Sequence, residues 1–356
     1  YKLKKDGNWI ELSTSRFRMK YKKGSGQFTS RNLSITSAKG MYPFRWMPGM
    51  KQKCNLKGTY RTLDGYDGDK HIHTNELMPL EDGLLATDGW TLIDDSDNFL
   101  FDDADWTWVK PREKKGSQDW YFMAYGHDYK SALKDYTMFA GKIPLPPRYA
   151  FGYWWSRYWS YSDNELRELL RKFRMYDIPL DVLVIDMDWH YTEPGKGGWS
   201  GWTWNKRLFP NPGRLLADLK KEGVKLTLNL HPADGFAFYE EPYRAIATDI
   251  GMNPEGKDTI PWITSDKKLM EAVFRNVLHP MEKEGVDFWW LDWQQFPFDK
   301  KIDSLNNVCG LIMSFSLKWK ETVLPVRCSI IAGVDWGITV IRLVSRAMLL
   351  FPGNHL

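Results

Sequence analysis

Asp181-Val-Leu-Val-Ile-Asp186 and Asp287-Phe-Trp-Trp-Leu-Asp292 are the two stretches that decide the fold. Each is a short, fully apolar run with an acidic residue at either end. Such runs are typical of strands buried on both faces, as in a parallel sheet that helices cover. Two further runs, 149–155 and 225–230, are also strand-like, which makes four strands.

Helical patterns separate these four runs. The first predicted helix begins with a capping box at Ser162 and Glu165, in which each residue satisfies the other's free backbone donor. Two more helices are expected over 212–221 and from about 265 to 284. Alternating strands and helices predict the α/β class and the first half of a (β/α)8 TIM barrel over residues 144–308, with the functional groups at the carboxyl ends of the strands.

Residues 1–143 have a different pattern and predict an N-terminal β-sandwich. Short alternating runs, such as 9–13 and 17–21, are divided by clusters of Gly, Asp and Lys. Asp-Gly pairs recur, as in hairpin-rich sheets. A short helix is expected at about 128–140, and three closely spaced prolines (Pro144, Pro146, Pro147) mark the domain boundary.

The composition argues against several classes of partner. The formal net charge is +4, and residues 308–356 supply +3 of it through five Lys/Arg and two Asp/Glu. The remainder is nearly neutral, so neither a nucleic acid nor an anionic membrane is expected as partner. Cys54, Cys309 and Cys328 have no metal-like spacing and suggest no disulfide framework. No signal peptide or transmembrane run is visible, but the chain begins at Tyr1, so the sequence does not predict a compartment.

Asp186 and Asp292 occupy the same predicted position, the last residue of a buried strand. In a barrel both side chains would point into one mouth. Capping of the next loop or pairing with a lysine is the structural alternative for either residue alone. The aromatic surroundings favour a functional role for the pair; they are Trp155, Trp189, Trp290 and Trp293.

The chain resembles glycoside hydrolase family 31, the retaining α-glycosidases that include α-glucosidases and α-xylosidases. The resemblance covers most of residues 45–307. It rests on three pieces in order: Pro-Arg-Tyr-Ala-Phe-Gly-Tyr-Trp (147–154), Ile-Pro-Leu-Asp-Val-Leu-Val-Ile-Asp-Met-Asp (178–188) and Phe-Trp-Trp-Leu-Asp-Trp (288–293). It implies that the N-terminal sandwich is galactose mutarotase-like and that the substrate is an oligosaccharide or another α-glycoside.

The resemblance also implies roles for individual residues. Asp292 is the expected nucleophile, and the expected substrate-binding residues are Asp186, Met187, Trp290, Trp293 and Tyr161. A retaining glycosidase uses two carboxyl groups about 5–5.5 Å apart and needs neither a metal nor an organic cofactor. The common family motif Asp-Met-Asn-Glu reads Asp292-Trp-Gln-Gln295 here. An α-glucosidase is therefore the default, with an α-galactosidase or α-N-acetylgalactosaminidase as alternatives.

Residues 309–356 do not continue the family pattern and contain no match for the acid/base carboxylate. Shifting the codons by one base, with allowed synonymous choices, turns residues 330–348 into YHRWGGLGNHRYSIGFSGD and the residues from 309 onward into WWINYVFFTEME. The first string resembles the family's stretch that leads to the acid/base aspartate. We therefore interpret 309–356 as an out-of-frame tail that a single-base deletion near Cys309 created. The chain as written is expected to be inactive and, with unpaired strand edges, poorly soluble.

Three other hypotheses about the function remain open at this point. Asp186, Asp188 and His190 alternate along the chain and suggest a metal-dependent barrel hydrolase if the strand continues that far. A non-catalytic carbohydrate-binding protein and a pseudogene product are the other two. Arg157 is expected to pair with a neighbouring acid, and the basic stretch around Arg112 is expected to be a solvated loop.

Overall fold

The structure is a computed structural model. It describes residues 1–58, 82–102, 104, 108–113, 116–140, 146–191, 198–291, 298–303, 305, 307, 330–332 and 339–340. No helix in these ranges combines the length and the apolar character that crossing a bilayer requires.

Five antiparallel strands open the chain as a meander in sequence order: β1 (Lys2–Asp6), β2 (Trp9–Ser13), β3 (Phe17–Lys22), β4 (Leu33–Ser37) and β5 (Arg45–Trp46). Their register aligns one apolar side chain from each strand in a single row: Leu3, Leu12, Met19, Ile35 and Trp46. Because side chains alternate between the two faces of a strand, this row gives one face of the sheet its apolar character.

A second layer covers that face. It contains β6 (Thr91–Asp94) paired with β9 (Trp120–Met123). A separate pair, β7 (Leu100–Phe101) and β8 (Val109–Lys110), instead packs Val109 into the core cluster of the following domain. Trp46 from the first layer contacts Phe122 at a ring-centroid distance of 4.9 Å, and Phe122 stacks on Trp90 at 5.9 Å. Two apolar sheet faces packed together confirm the predicted sandwich. Helix α1 (Tyr129–Phe139) follows, with Asp128 as its N-cap, close to the predicted range.

Arg112 corrects one expectation in this region. Its side chain is largely buried and pairs with Asp95 at 3.1 Å and Asp119 at 3.0 Å. Its Nε atom also donates a hydrogen bond to the Asn98 carbonyl at 2.7 Å. The expected solvated loop is therefore wrong for Arg112, because its charge is visible in the sequence but its partners are not. Arg112 instead ties the 95–98 turn to the segment before β9.

The barrel segment follows helix α1 along the chain. Its strands are parallel and adjacent in chain order: β10 (Trp154–Trp155), β11 (Val182–Ile185), β12 (Lys225–Leu230) and β13 (Phe288–Leu291). The helices between and around them are α2 (Asp163–Met175), α3 (Pro212–Lys221), α4 (Tyr243–Ile250), α5 (Lys267–Val273) and α6 (His279–Glu284). A π-helical turn (Phe274–Leu278) joins α5 to α6, and 3-10 turns lie at Arg148–Phe151 and Pro232–Asp234.

The two-residue period of the strands separates an inner from an outer face. Leu183 and Ile185 of β11 belong to the main core cluster together with helical residues such as Leu166 and Leu215, so this side faces the helices. Val182 and Val184 alternate with them and form a separate cluster with Phe288 of β13. This second side is the inner face of the partial barrel.

Several local predictions are confirmed and one is wrong. The Ser162–Glu165 capping box is present, and α3 spans the predicted residues 212–221. Residues 148–151 form a 3-10 turn instead of a strand. The long helix expected from Ser265 is capped by Asp266 and contains the π turn. Pro280 explains that turn, because proline offers no N–H and clashes with the carbonyl four residues earlier.

The edge of the sheet beyond β13 also differs from expectation. The sequence predicted four strands and an unpaired edge. The structure adds β14 (Ile330–Ala332), parallel to β13, and β15 (Thr339–Val340), antiparallel to β14. The free N–H and C=O groups along an apolar edge strand offer pairing sites to any extended segment.

Candidate active site

Three neighbouring strand ends converge on the carboxylate of Asp186, which directly follows β11. Its Oδ1 atom accepts hydrogen bonds from the Asn229 side-chain amide at 2.7 Å and from the Met187 backbone N–H at 2.8 Å. Its Oδ2 atom accepts a third hydrogen bond from the Ser156 hydroxyl at 3.1 Å. The carboxylate is therefore fixed in orientation at the end of the strands where barrel proteins carry their functional residues.

Asn229 is a site residue that the sequence analysis missed. It lies near the carboxyl end of β12 on the inner face, two residues after Thr227, and is buried. A buried amide needs hydrogen-bond partners, and Asp186 supplies one. The signal was present, because a polar residue near the carboxyl end of an apolar strand is the same pattern that singled out Asp186.

A second serine–aspartate pair lies next to the first. Ser160 donates a hydrogen bond to the Asp188 carboxylate, in parallel with the bond from Ser156 to Asp186. Asp188 has a φ of 64°, in the left-handed region that aspartate tolerates better than most residues. The two pairs attach both ends of the segment 156–160 to the turn after β11.

The structure places the other predicted site residues in different surroundings. Trp290 is half-buried, packs against Trp154 at 5.7 Å and is the register partner of Asn229. Met187 is half-buried and directly follows Asp186. Tyr161 packs against the main core cluster. Asp292 and Trp293 lie outside the described residues.

Two tryptophans expected around the site belong to the core instead. Trp155 contacts Phe173 of α2 at 5.4 Å, on the helix side of the sheet. Trp189 is fully buried, and its indole N–H donates to the Asn229 carbonyl at 2.8 Å. Strand alternation explains the first case, because Trp154 takes the inner face and Trp155 the outer. These two rings therefore pack in the core beneath the site and do not line it.

The three residues of the metal-dependent alternative do not lie together on one strand. Strand β11 ends at Ile185, so Asp186, Asp188 and His190 do not share one strand face. His190 is buried against Trp189, and this burial lowers the pKa of His190 to about 4. Within the described ranges, no three His, Cys, Asp or Glu residues form a group suited to a metal ion.

Glu240 is a buried acid that joins two loops at the same end of the sheet. Its Oε2 atom accepts hydrogen bonds from the Thr203 hydroxyl at 2.5 Å and from the Trp202 backbone N–H at 3.2 Å. The Thr203 hydroxyl in turn accepts from the Glu241 backbone N–H at 2.8 Å. Burial raises the pKa of Glu240 to about 7 against the opposing effect of these hydrogen bonds. The loop before α3 and the loop before α4 are thus connected through one titratable group.

The interaction that Arg157 makes differs from the ion pair that the sequence predicts. Its guanidinium group lies 4.5 Å from the centre of the Trp159 ring. Among the described residues, no carboxylate lies within ion-pair distance of it. The group is held by a cation–π contact instead of by an acid.

Comparisons with known proteins agree with this arrangement. The sequence profile described as "Glycosyl hydrolases family 31 TIM-barrel domain" matches residues 143–311. An α-xylosidase from Saccharolobus solfataricus is 30% identical over 176 residues, which are 48% of this chain and 22% of that protein. Alpha-glucosidase 2 from Bacillus thermoamyloliquefaciens is 36% identical over 133 residues, which are 36% of this chain and 16% of that protein. The chain thus spans about a fifth of the length of these relatives.

Solved structures support the fold. A GH31 α-xylosidase from a soil metagenome, complexed with xylose, superposes with a TM-score of 0.56 over 93% of this chain and 58% of that chain, at 17% identity. A GH31 dextranase from Flavobacterium johnsoniae, complexed with glucose, superposes with a TM-score of 0.52 over 82% of this chain and 40% of that chain, at 16% identity. Residues 143–311 of the chain thus match the TIM-barrel domain of glycosyl hydrolase family 31.

Proposed function

We propose that the barrel segment is the first half of the catalytic domain of a retaining α-glycosidase that removes terminal α-linked sugars. The observation that carries this proposal is the triply bonded Asp186 carboxylate at the ends of parallel strands. The named relatives, an α-xylosidase and an α-glucosidase, act on α-glycosidic bonds by their names and support the same reaction class.

Asp186 acts as a ligand for sugar hydroxyls. An ionised carboxylate has about four acceptor positions. Three are occupied by Asn229, Ser156 and the Met187 backbone, so about one remains for a donor from a bound sugar. Because the orientation of the carboxylate is already fixed, little conformational entropy is lost when that donor arrives.

Asp292 is the nucleophile in this proposal. On β13, Phe288 and Trp290 lie with the inner-face cluster, and the two-residue period of a strand, carried one step further, predicts the same face for position 292. There its carboxylate would attack the anomeric carbon and form a glycosyl-enzyme, which water then hydrolyses. Trp290, Trp293, Met187 and Tyr161 are the proposed pocket walls.

The acid/base is absent from the chain as written, so we infer that this chain is inactive. The family match ends at residue 311, next to the site of the inferred base deletion at Cys309. Two short tail strands cover part of the β13 edge, which does not replace the later half of a barrel. The proposed frame correction returns an aspartate whose codon spans positions 347 and 348, in a stretch resembling the family's acid/base region.

The sugar is α-glucose by default, with α-galactose and α-N-acetylgalactosamine as alternatives because of the sequence Asp292-Trp-Gln-Gln295. Nitrophenyl α-glycosides of these three sugars and of xylose test the proposal. We expect the frame-restored enzyme to hydrolyse one of them and the 356-residue chain to hydrolyse none. Asp292→Ala in the restored enzyme should abolish turnover and keep sugar binding. Turnover by the uncorrected chain, or sugar binding with no turnover by the restored protein, would contradict the proposal; the second result would indicate a carbohydrate-binding protein.

A further inference from the structure

A tryptophan from the N-terminal part of the chain lies in the core of the barrel segment. Trp108, directly before β8, is 7% exposed and belongs to the main core cluster, together with Leu166 of α2 and Leu215 of α3. Its indole N–H donates a buried hydrogen bond of 2.7 Å to the backbone carbonyl of Ser265, directly before the N-cap of α5. Because a buried donor needs its acceptor, this bond fixes Trp108 relative to the start of α5.

Ser265 in turn holds the buried carboxylate of Asp299. Its backbone N–H donates to Oδ2 of Asp299 at 2.9 Å, and its hydroxyl donates to Oδ1 at 2.6 Å. The backbone N–H groups of Lys301 and Ile302 donate to the same Oδ1 atom at 2.8 and 2.9 Å. Burial raises the pKa of Asp299, but these hydrogen bonds outweigh it, so the pKa lies below the ordinary value of 3.8. An ionised, buried carboxylate is thus the common anchor of Ser265 and the 299–302 turn.

This anchor lies close to one end of the segment that carries the proposed nucleophile. Positions 292–297 come directly after Leu291, which is paired with β12, and shortly before the anchored Asp299. The conformations open to so short a segment depend on where its two ends are held. A displacement of about 1 Å at a reacting atom can cost about a hundredfold in rate, even when the substituted residue lies far from the chemistry. Contiguous contacts therefore connect Trp108 to the end of the segment that contains Asp292.

We propose that Trp108 is a positioning residue for the proposed nucleophile: through Ser265 and Asp299, a residue outside the barrel sets where the Asp292 segment is held. This inference rests on the proposed function. Trp108 acts through other residues, and the proposed sugar ligand Asp186 is held by contacts that do not involve it. The rate of attack on the anomeric carbon should therefore depend on Trp108, whereas the affinity for the sugar should not.

The kinetic test follows the labelling of the frame-restored enzyme by 5-fluoro-α-D-glucosyl fluoride, or by its galactosyl counterpart. Because fluoride leaves readily, the labelling rate reports the attack by the nucleophile. Trp108→Phe keeps the aromatic packing but removes the N–H donor. It should lower the maximal labelling rate about tenfold and change the concentration for half-maximal labelling by less than about twofold. Ser265→Ala, which removes the hydroxyl donor to Asp299, should also slow labelling.

A double variant and a matched control separate positioning from simple docking of the two parts of the chain. Trp108→Phe and Ser265→Ala together should slow labelling less than the product of their separate effects, because residues in one hydrogen-bond network are not additive. Val109 is also 7% exposed and belongs to the same core cluster, but it makes none of the hydrogen bonds to Ser265 or Asp299 described above. Val109→Ala should therefore lower the free energy of unfolding and leave the labelling rate unchanged. Fully multiplicative effects, an unchanged rate in Trp108→Phe, or equal slowing in Val109→Ala would overturn the proposal.

Hydrogen exchange on the 356-residue chain separates this inference from the proposed function, because it needs no turnover. The amides of Lys301 and Ile302 bond to the Asp299 carboxylate, so exchange in the peptide that contains them reports the anchor. Trp108→Phe, or Ser265→Ala if the first variant does not fold, should speed this exchange about tenfold, and Val109→Ala should not. That result supports the connection even if the restored protein hydrolyses nothing, in which case the proposed function fails alone. Exchange that is unchanged in these variants, or equally fast in Val109→Ala, overturns the inference.

Discussion

The Asn229 side-chain amide donates a 2.7 Å hydrogen bond to the Asp186 carboxylate and so joins the carboxyl ends of β12 and β11. The two strands are parallel, with Ile185 opposite Leu228, which brings both residues to the same edge of the sheet. This bond makes Asp186 part of the sheet framework, because the carboxylate cannot rotate without breaking a contact to a buried side chain.

Replacing Asn229 with Ala should therefore affect both stability and catalysis. Loss of one partner from a hydrogen-bonded carboxylate costs about 1–3 kcal/mol. We expect a loss of that size in urea unfolding and at least a tenfold fall in kcat/KM of the frame-restored enzyme. Thr227→Val on the same face is the matched control, since its hydroxyl makes no contact with Asp186 among the described hydrogen bonds. Identical behaviour of the two variants would exclude the role given to Asn229.

Glu240 should make stability depend on pH. Its pKa is raised to about 7 in the folded protein, above the ordinary value of 4.5, so the folded state binds its proton more tightly than the unfolded state. The resulting stabilisation is present at low pH and is lost as pH rises from about 4.5 through 7, with an upper limit on the order of 3 kcal/mol.

Urea unfolding of Glu240→Gln between pH 5 and pH 8 measures this effect. The glutamine carbonyl still accepts hydrogen bonds from Thr203 and from the Trp202 backbone. The free energy of unfolding of the variant should therefore depend less on pH than that of the unmutated chain, and it should be higher at pH 8. Glu284→Gln, at an exposed position at the end of α6, should leave the profile unchanged. A Glu240→Gln profile as steep as that of the unmutated chain would show that the burial of Glu240 has no such effect.

Asp188 combines a left-handed backbone with the hydrogen bond from Ser160. Asp188→Asn keeps both features and should be nearly neutral, whereas Asp188→Ala loses the bond and remains strained. Asp177 also has a positive φ, of 51°, and is exposed, so Asp177→Ala measures the backbone effect alone. We expect Asp188→Ala to cost about 1 kcal/mol more than Asp177→Ala in thermal or urea unfolding. Equal losses would mean that the Ser160 bond contributes nothing.

Arg112 should be important for the N-terminal sheets. Its largely buried side chain pairs with Asp95 and Asp119, and Arg112→Met would leave both carboxylates without this partner. We expect a loss of about 2–4 kcal/mol in urea unfolding. Lys110→Met, at the exposed position of β8, should change stability by less than about 0.5 kcal/mol. Comparable losses in the two variants would contradict the role given to the ion pairs.

The sequence predicted those elements whose signals are local. The capping box at Ser162 and the buried strand ending at Asp186 are readable because each depends on adjacent residues. Helix α4 was missed because it has only eight residues and no side-chain cap. Its C-cap, Gly251 with a φ of 84°, was the one local stop signal.

The site was harder to predict than the fold because it depends on which face each side chain takes. Trp154 and Trp155 are adjacent residues of the same type, so the sequence does not distinguish them. Trp154 nevertheless packs on the inner face, whereas Trp155 packs against α2. Glu240 carries no motif, and its role arises from burial and from a partner distant in sequence. Such partners follow from tertiary packing, which periodicity alone does not specify.

The identity of the nucleophile is best tested by trapping the glycosyl-enzyme. Frame-restored enzyme is incubated with 5-fluoro-α-D-glucosyl fluoride, or with its galactosyl counterpart, and the peptides are analysed by mass spectrometry. We expect the sugar on the peptide that contains Asp292, and an Asp292→Asn variant that takes up no label and loses at least about a thousandfold in kcat. A label on a different carboxylate, or an Asp292→Asn enzyme that keeps its turnover, would contradict the assignment of Asp292 as the nucleophile.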